Sequence, residues 1–382
     1  MNFEYSESQK LFYELADNFG KEEIYPSALD WENKKTIPRE VLEKAGNLGF
    51  AAMYIPEEVG GSGMTRLDAA IVFEALAKSC PSVSSFISIH NMCVWMINQF
   101  ASESLKDILL PGLCNFEKVC SYCLTEPTSG SDAAALKTVA KKNNEGFLLK
   151  GEKSFISGGG YSDYYIVMSR TGQQGPGGVS AILVENGQSG LSFGKNEEKM
   201  GWKAQPTRSV ILEDCFCPAK NLIGEEGKGF SYAMAGLDGG RINIAAAALG
   251  GAQSAFDIAK KYSNEREAFE KPISSFQSIQ FKLAEMEIKL EAARSLLYKA
   301  AWKLDIKSHD SSKFCAIAKK FVTDNAFEVS NSSLQILGGY GYLTDYRIEK
   351  IVRDLRVHQI LEGTNEIMQV IIARHILEEY RN

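Results

Sequence analysis

The chain changes its hydrophobic period twice. From residue 6 to about 118, apolar side chains recur every three or four positions, the spacing of one helix face. Ser6 stands as an N-cap before a segment with Leu11, Phe12, Leu15 and Phe19 on one side. Pro38 opens REVLEKAGNLG and Gly49 closes it, the usual order of a helix start and stop. Segments 67–78, 83–100 and 105–117 continue the helical period, separated by turns and by Pro81 and Pro111. From about 119 to 228 the period falls to two. Residues 138–151 read as a hairpin around Asn143-Asn144-Glu145-Gly146, and 164–169, 179–184 and 208–212 as further strands. The glycine-rich GQQGPGG (172–178) is expected to turn a hairpin. From about 229 the helical period returns in long pieces, 234–262, 276–306 and 312–337, followed by a shorter pair. The pattern predicts an α+β multidomain chain: an N-terminal helical domain (1–118), a central antiparallel β-domain (119–228) and a C-terminal four-helix bundle (229–382).

Composition narrows the function classes. A length of 382 residues with 45% hydrophobic and 24% charged positions suits a globular protein with a sizeable core. A net charge of −6 offers no basic face to nucleic acid, and no apolar run reaches the length of a membrane span. The N-terminal MNFEYSESQKLF has the features of neither a signal peptide nor an Arg-rich transit peptide. The expected location is cytoplasmic for a bacterial chain and the mitochondrial matrix for a processed eukaryotic one. The eight cysteines are scattered, and only Cys120 and Cys123 form a CxxC; Cys215 and Cys217 are too close together to complete a metal site with them. Reduced, structural thiols and no metal are expected. P-loop, GxGxxG, HExxH and GxSxG patterns are absent, and His358 in RVHQIL reads as a packed core histidine.

Chemistry concentrates in a few turns. QILEGTNEIM (359–368) sets one acid, Glu362, between an apolar pair and a glycine, with Thr364 as the N-cap of a last helix. A surface-turn acid and a desolvated general base both fit that pattern. LTEPTSGSD (124–132) ends a strand with a hydroxyl-rich turn able to donate to an anion or a heterocycle. KSFISGGG (153–160) places an aromatic and Ser157 at another strand end, and QILGGYGY (335–342) has glycines where backbone must come close to something bulky.

TEPTSGSD, FISGG, GGRINIA, QILGGYGY and VRDLRVHQILEGTNE, in this order within a helix–β–helix chain, resemble the acyl-CoA dehydrogenase family over essentially the whole length. The resemblance implies FAD held between the β-domain and the C-terminal bundle. Tyr122, Cys123, Leu124, Thr125, Ser131, Phe155, Ile156 and Ser157 would line the flavin. Arg266, Phe276 and Gln277 would approach the diphosphate and adenine. Gln335, Ile336, Leu337, Gly338 and Gly339 would reach the FAD of a neighbouring subunit, implying a homotetramer, and Thr364, Asn365 and Glu366 would add a further FAD contact. Acyl-CoA contacts would come from Ser131, Asp238, Gly239, Gly240, Arg241 and Arg374. Asp238 and Arg241 are spaced to share a helix face.

In this resemblance Glu362 is the catalytic base that removes the α-proton, its own N–H holding the thioester oxygen, while the β-hydride passes to the flavin. Some members carry the base at the position of Gly240, which has no side chain here. The implied substrate is a short branched acyl-CoA, isobutyryl-CoA going to methacrylyl-CoA as in valine breakdown, with electron-transfer flavoprotein as acceptor. Butyryl-CoA and 2-methylbutyryl-CoA remain alternatives, as do an oxidase and a non-catalytic scaffold on the same fold. Two departures stand out: Arg266-Glu267-Ala268-Phe269-Glu270 where the family reads R-x-Q-F-G, and Thr128 where a smaller residue is usual.

Overall fold

The computed structural model describes residues 4–381, so the first three residues of MNFEYSESQKLF lie outside the description. The N-terminal part contains α1 (Glu7–Phe19), α2 (Ala28–Lys34), α3 (Arg39–Asn47), α4 (Arg66–Ser79), α5 (Pro81–Phe100) and α6 (Glu103–Leu113). Ser6 caps α1 through a full capping box with Gln9. Gly49 follows α3 at φ +82, the left-handed conformation that favours glycine. Pro81 is the first residue of α5, where its missing N–H costs nothing. Pro111 sits inside the last turn of α6 instead of ending it, and the helix stops at Leu113, short of the expected 117.

The middle strands are β1 (Cys120–Cys123), β2 (Val139–Lys142), β3 (Gly146–Ser157), β4 (Tyr164–Arg170), β5 (Val179–Glu185), β6 (Leu191–Phe193), β7 (Thr207–Pro218) and β8 (Leu222–Ile223). They form one sheet in the order β6-β7-β3-β2-β4-β5-β8, with β1 also on β4. The hairpins expected at 143–146 and around GQQGPGG join β2 to β3 and β4 to β5. The sheet is not purely antiparallel, because β1 pairs with β4 in parallel and β2 meets β4 in parallel at Val139 and Arg170. The reason is topological: the β2–β3 hairpin lies between β1 and β4 in the chain, and this long excursion returns β4 in the same direction as β1.

The C-terminal part holds α7 (Gly229–Glu265), α8 (Gln277–Asp305), α9 (Ser311–Leu337), α10 (Ile348–Arg356) and α11 (Asn365–Arg381). Helix α9 is the hub, packing on α7, α8, α10 and α11. The two helical parts share one apolar core. It runs from Phe19, Trp31 and Phe73 through Ile242, Leu249 and Phe256 to Leu290, Leu297 and Val322. Glycine makes this closeness possible: a Cβ at Gly250 of α7 would lie 2.0 Å from the carbonyl oxygen of Glu74 in α4. All eight cysteines are free and buried, the CxxC pair included. Among the described residues no group of His, Cys, Asp or Glu could hold a metal ion, and no helix is long and apolar enough to cross a membrane.

Candidate active site

Three elements converge on Glu362. It lies between α10 and α11 at φ +53, a left-handed conformation unusual for a non-glycine residue, and Gly363 follows at φ +89. The preceding turn is anchored by His358, which is fully buried. Its Nε2 accepts from Trp202 Nε1 at 3.2 Å, and its Nδ1 lies 3.1 Å from the carbonyl of Ile244 in α7. Burial lowers His358 to about 4, so the ring is neutral and serves as a strut, as its apolar surroundings suggested. After the turn, Thr364 caps α11 by accepting from the Ile367 N–H at 3.3 Å.

The Glu362 carboxylate points at Gly240. A Cβ at Gly240 would lie 2.1 Å from Oε2 and 2.8 Å from Cδ, so the absent side chain leaves the space the carboxylate occupies. Oε2 is buried without a hydrogen-bond partner. Burial pushes the carboxyl up from its ordinary 4.5 to about 7, against the nearby Arg241 and Lys319 cations, which favour its anion. No hydrogen bond engages the Glu362 N–H among the described residues. A surface-turn acid would be solvated and partnered; this carboxyl has an unpartnered oxygen shut away from water.

Asp238 and Arg241 share a face of α7 as their spacing predicts, and they pair with each other at 2.5 Å. Ser312 of α9 also donates to Asp238, and Arg241 Nε lies 3.5 Å from the Glu362 carbonyl. Gly239 abuts Arg66, whose Nη1 would be 2.5 Å from a Cβ there. The Arg66 guanidinium stacks 3.6 Å from the Tyr54 ring centroid. Arg374 is exposed on α11, nine residues or about 14 Å along the helix from Asn365.

The hydroxyl-rich turn after β1 is held by a buried ion pair. Lys153 Nζ reaches Glu126 Oε1 at 2.8 Å and the Leu124 carbonyl at 3.1 Å, and Glu126 accepts from the Lys137 and Thr138 N–H groups. Burial opposes ionisation of Glu126, but the Lys153 charge and these bonds hold it below its ordinary value. Ser154 N–H donates to the Thr125 carbonyl at 2.8 Å, and Ser121 Oγ to the Ser157 carbonyl at 2.6 Å, so Thr125, Phe155 and Ser157 come together as expected. Phe155 sits on a bulge of β3 at φ +59, and the residue is 68% exposed. Cys123 and Ile156 turn into the sheet core, leaving only their backbones for a ligand. The Tyr122 hydroxyl is buried with no partner, and the Glu362 charge acts on it. Ser131 is exposed at the end of the turn.

Other expected residues lie far from Glu362. Gly240 and Arg266 are 26 positions apart on and just beyond α7, about 39 Å at 1.5 Å per residue. Gln335, Gly338 and Gly339 are exposed at the end of α9, while Ile336 and Leu337 are buried. Arg266 stands 5.8 Å from the ring of Tyr340 next to them. Phe276 and Gln277 open α8 nearby. In the atypical segment, Phe269 and Glu270 both have positive φ at the tip of a two-residue turn.

Asn365 and Lys319 show what the linear pattern concealed. The Asn365 side chain turns away into α9, where Lys319, Thr323 and Asp324 bind it, and Glu366 is exposed. Lys319 was missed altogether, although a lysine in phase with Cys315, Val322 and Ala326 on the buried face of a helix is a signal.

Models of the acyl-CoA dehydrogenase N-terminal, middle and C-terminal domains match residues 6–117, 121–215 and 227–377. The chain belongs to the acyl-CoA dehydrogenase family. It is thus a flavin-dependent oxidoreductase. It is 49% identical to a mitochondrial isobutyryl-CoA dehydrogenase of Bos taurus and 50% identical to one of Dictyostelium discoideum, each alignment covering 98% of this chain and 90% of the relative. Among solved structures it is similar to butyryl-CoA dehydrogenase of Megasphaera elsdenii, with a TM-score of 0.95, 39% identity, and coverage of 99% of this chain and 100% of that one.

Proposed function

We propose that this acyl-CoA dehydrogenase converts isobutyryl-CoA to methacrylyl-CoA in valine breakdown, with Glu362 as the base. The observation that carries the substrate assignment is near-full-length identity of about half to two isobutyryl-CoA dehydrogenases. The base assignment rests on an orphaned, buried carboxylate raised to about 7. A base poised near neutral pH combines sufficient ionised fraction with sufficient basicity.

FAD fits the turn after β1 and the bulge of β3: an exposed Phe155, the Thr125 and Ser157 hydroxyls and the orphaned Tyr122 hydroxyl supply stacking surface and polar partners there. Bound FAD supplies the acceptor for the β-hydride, which side chains cannot provide. Glu362 removes the α-proton, and its unengaged N–H is free to donate to the thioester oxygen as negative charge builds there. Gly240 leaves room for the carboxylate and provides no rival base. Asp238, Gly239, Arg241, Ser131 and Arg374 are assigned to the CoA arm.

The 39 Å along α7 argues that one chain cannot apply both Glu362 and Arg266 to the same FAD. We therefore assign Arg266, Phe276, Gln277 and residues 335–339 to a neighbour's cofactor, within a homotetramer. Phe281 and Ile288, exposed one heptad apart on α8, offer an apolar face for such contacts. Electron-transfer flavoprotein is the proposed acceptor.

The test is anaerobic flavin bleaching with isobutyryl-, butyryl-, 2-methylbutyryl- and longer acyl-CoAs, compared as kcat/KM. Isobutyryl-CoA should lead. Butyryl-CoA is an isomer of isobutyryl-CoA that differs only in where one methyl group sits, and a one-carbon misfit in an apolar pocket changes kcat/KM by roughly 10–200-fold, so a higher kcat/KM for butyryl-CoA would reassign the substrate to the straight-chain class.

A further inference from the structure

Catalytic loops with positive φ need something to hold them, and here the holder is one face of α9. Lys319 is fully buried. Its Nζ donates to the Gly363 carbonyl at 2.9 Å and to Asn365 Oδ1 at 2.8 Å, on the C-terminal side of Glu362. One turn further along α9, Thr323 Oγ1 accepts from Asn365 Nδ2 at 3.0 Å, and Asp324 Oδ1 accepts from the same nitrogen at 2.6 Å. Gln359, on the N-terminal side of Glu362, donates to that same Asp324 oxygen at 2.7 Å. Positions 319, 323 and 324 thus grip the loop from both sides of the base.

From this geometry we infer that Lys319 is a positioning residue for Glu362: it fixes the loop that aims the carboxylate at Gly240 and sets a buried positive charge on the C-terminal side of that loop. A buried ammonium is costly unless it is hydrogen-bonded and near an anion, and Glu362 is the nearby anion that acts most strongly on it. The charged and titratable groups around Glu362 are Arg241 from α7, Lys319 and Asp324 from α9, Glu366 from α11, and Tyr54, Cys93 and Tyr122 facing the carboxylate. The cations favour the Glu362 anion; burial opposes it. Removing the Lys319 charge therefore moves the Glu362 pKa up, and the rising limb of the rate with it, because proton abstraction needs the carboxylate. This inference rests on Glu362 being the base.

The experiment titrates the Glu362 carboxyl directly, as the infrared C=O band that disappears in Glu362→Gln, and separately records flavin reduction against pH. Lys319→Gln keeps a donor and loses the charge, Lys319→Met loses both, and Lys319→Arg keeps the charge. In Gln and Met the band should titrate higher than in the parent, by about half a unit or more, the direction expected for loss of a neighbouring positive charge, and the rate profile should shift equally. Arg should stay near the parent. Thr323→Val loosens the loop without touching charge, so it should lower the rate without moving the band. If Met fails to fold, the Gln and Arg pair carries the same comparison. A Glu362 band that titrates within about a third of a unit of the parent in Lys319→Gln overturns the inference. Parent-like reduction in Glu362→Gln would instead overturn the base assignment, while the infrared shift would still report on Lys319.

Discussion

Gly240→Ala puts a methyl group where α7 faces the Glu362 carboxylate. The new Cβ would sit 2.1 Å from Glu362 Oε2, 2.8 Å from Cδ and 2.9 Å from Oε1. Non-bonded heavy atoms settle at about 3.5 Å, so the carboxylate must retreat by about 1.4 Å. Helix α7 cannot yield, because Gly240 is buried in the shared core region along with Ile242, Ala245 and Leu249. The carboxylate is the free end of a flexible side chain with no hydrogen bond on Oε2 to break. Swinging it therefore costs little stability, while aim suffers: a misplacement of about 1 Å at a reacting group lowers rates about 10²-fold. Stopped-flow flavin reduction at saturating isobutyryl-CoA is the assay, with a thermal melt and FAD content on the same sample. The expected result is a rate down about 10²-fold with a melting temperature and flavin content close to the parent. A variant that reduces its flavin within about threefold of the parent would show that the carboxylate does not work in the position it occupies here.

Two further outcomes follow from the same geometry. Because burial raises Glu362 from 4.5 to about 7, the folded state holds this proton more tightly than the unfolded chain. The stability this contributes is complete below pH 4.5 and is lost as pH rises through 7, so Glu362→Gln should be more stable than the parent at pH 8, by about 1–3 kcal/mol after allowing for partial solvent access, and not at pH 4; denaturant melts at the two pH values check this. Phe269 and Glu270 occupy consecutive left-handed positions, each costing about 1–2 kcal/mol for a residue with a Cβ. Glu270→Gly should therefore stabilise the fold by a net of about 0.5–1 kcal/mol after the entropy of glycine is subtracted and so raise the melting temperature; a lower melting temperature would mean the turn is held by contacts of Glu270 that outweigh the strain.

Periodicity alone was enough for the helices, because a helix face needs only local spacing: Ser6, Pro38 and Gly49 mark starts and stops where the structure has them. It was enough for both hairpins for the same reason. It could not reveal the parallel pairing of β1 with β4, since strand direction depends on where the chain returns after an excursion. The family motifs pointed to Glu362, and the apolar neighbours suggested desolvation. Its basicity, however, depends on what surrounds it from α7 and α9, and those residues are distant in the chain: Gly240, whose missing side chain makes the space, and Lys319, whose charge limits the pKa rise. Asn365 shows the limit from the other side, since the family resemblance implied a cofactor contact there while packing directs its side chain into α9. Local order determines which residues can do chemistry, but a pKa and a line of attack are properties of desolvation and approach. Only the folded chain sets those.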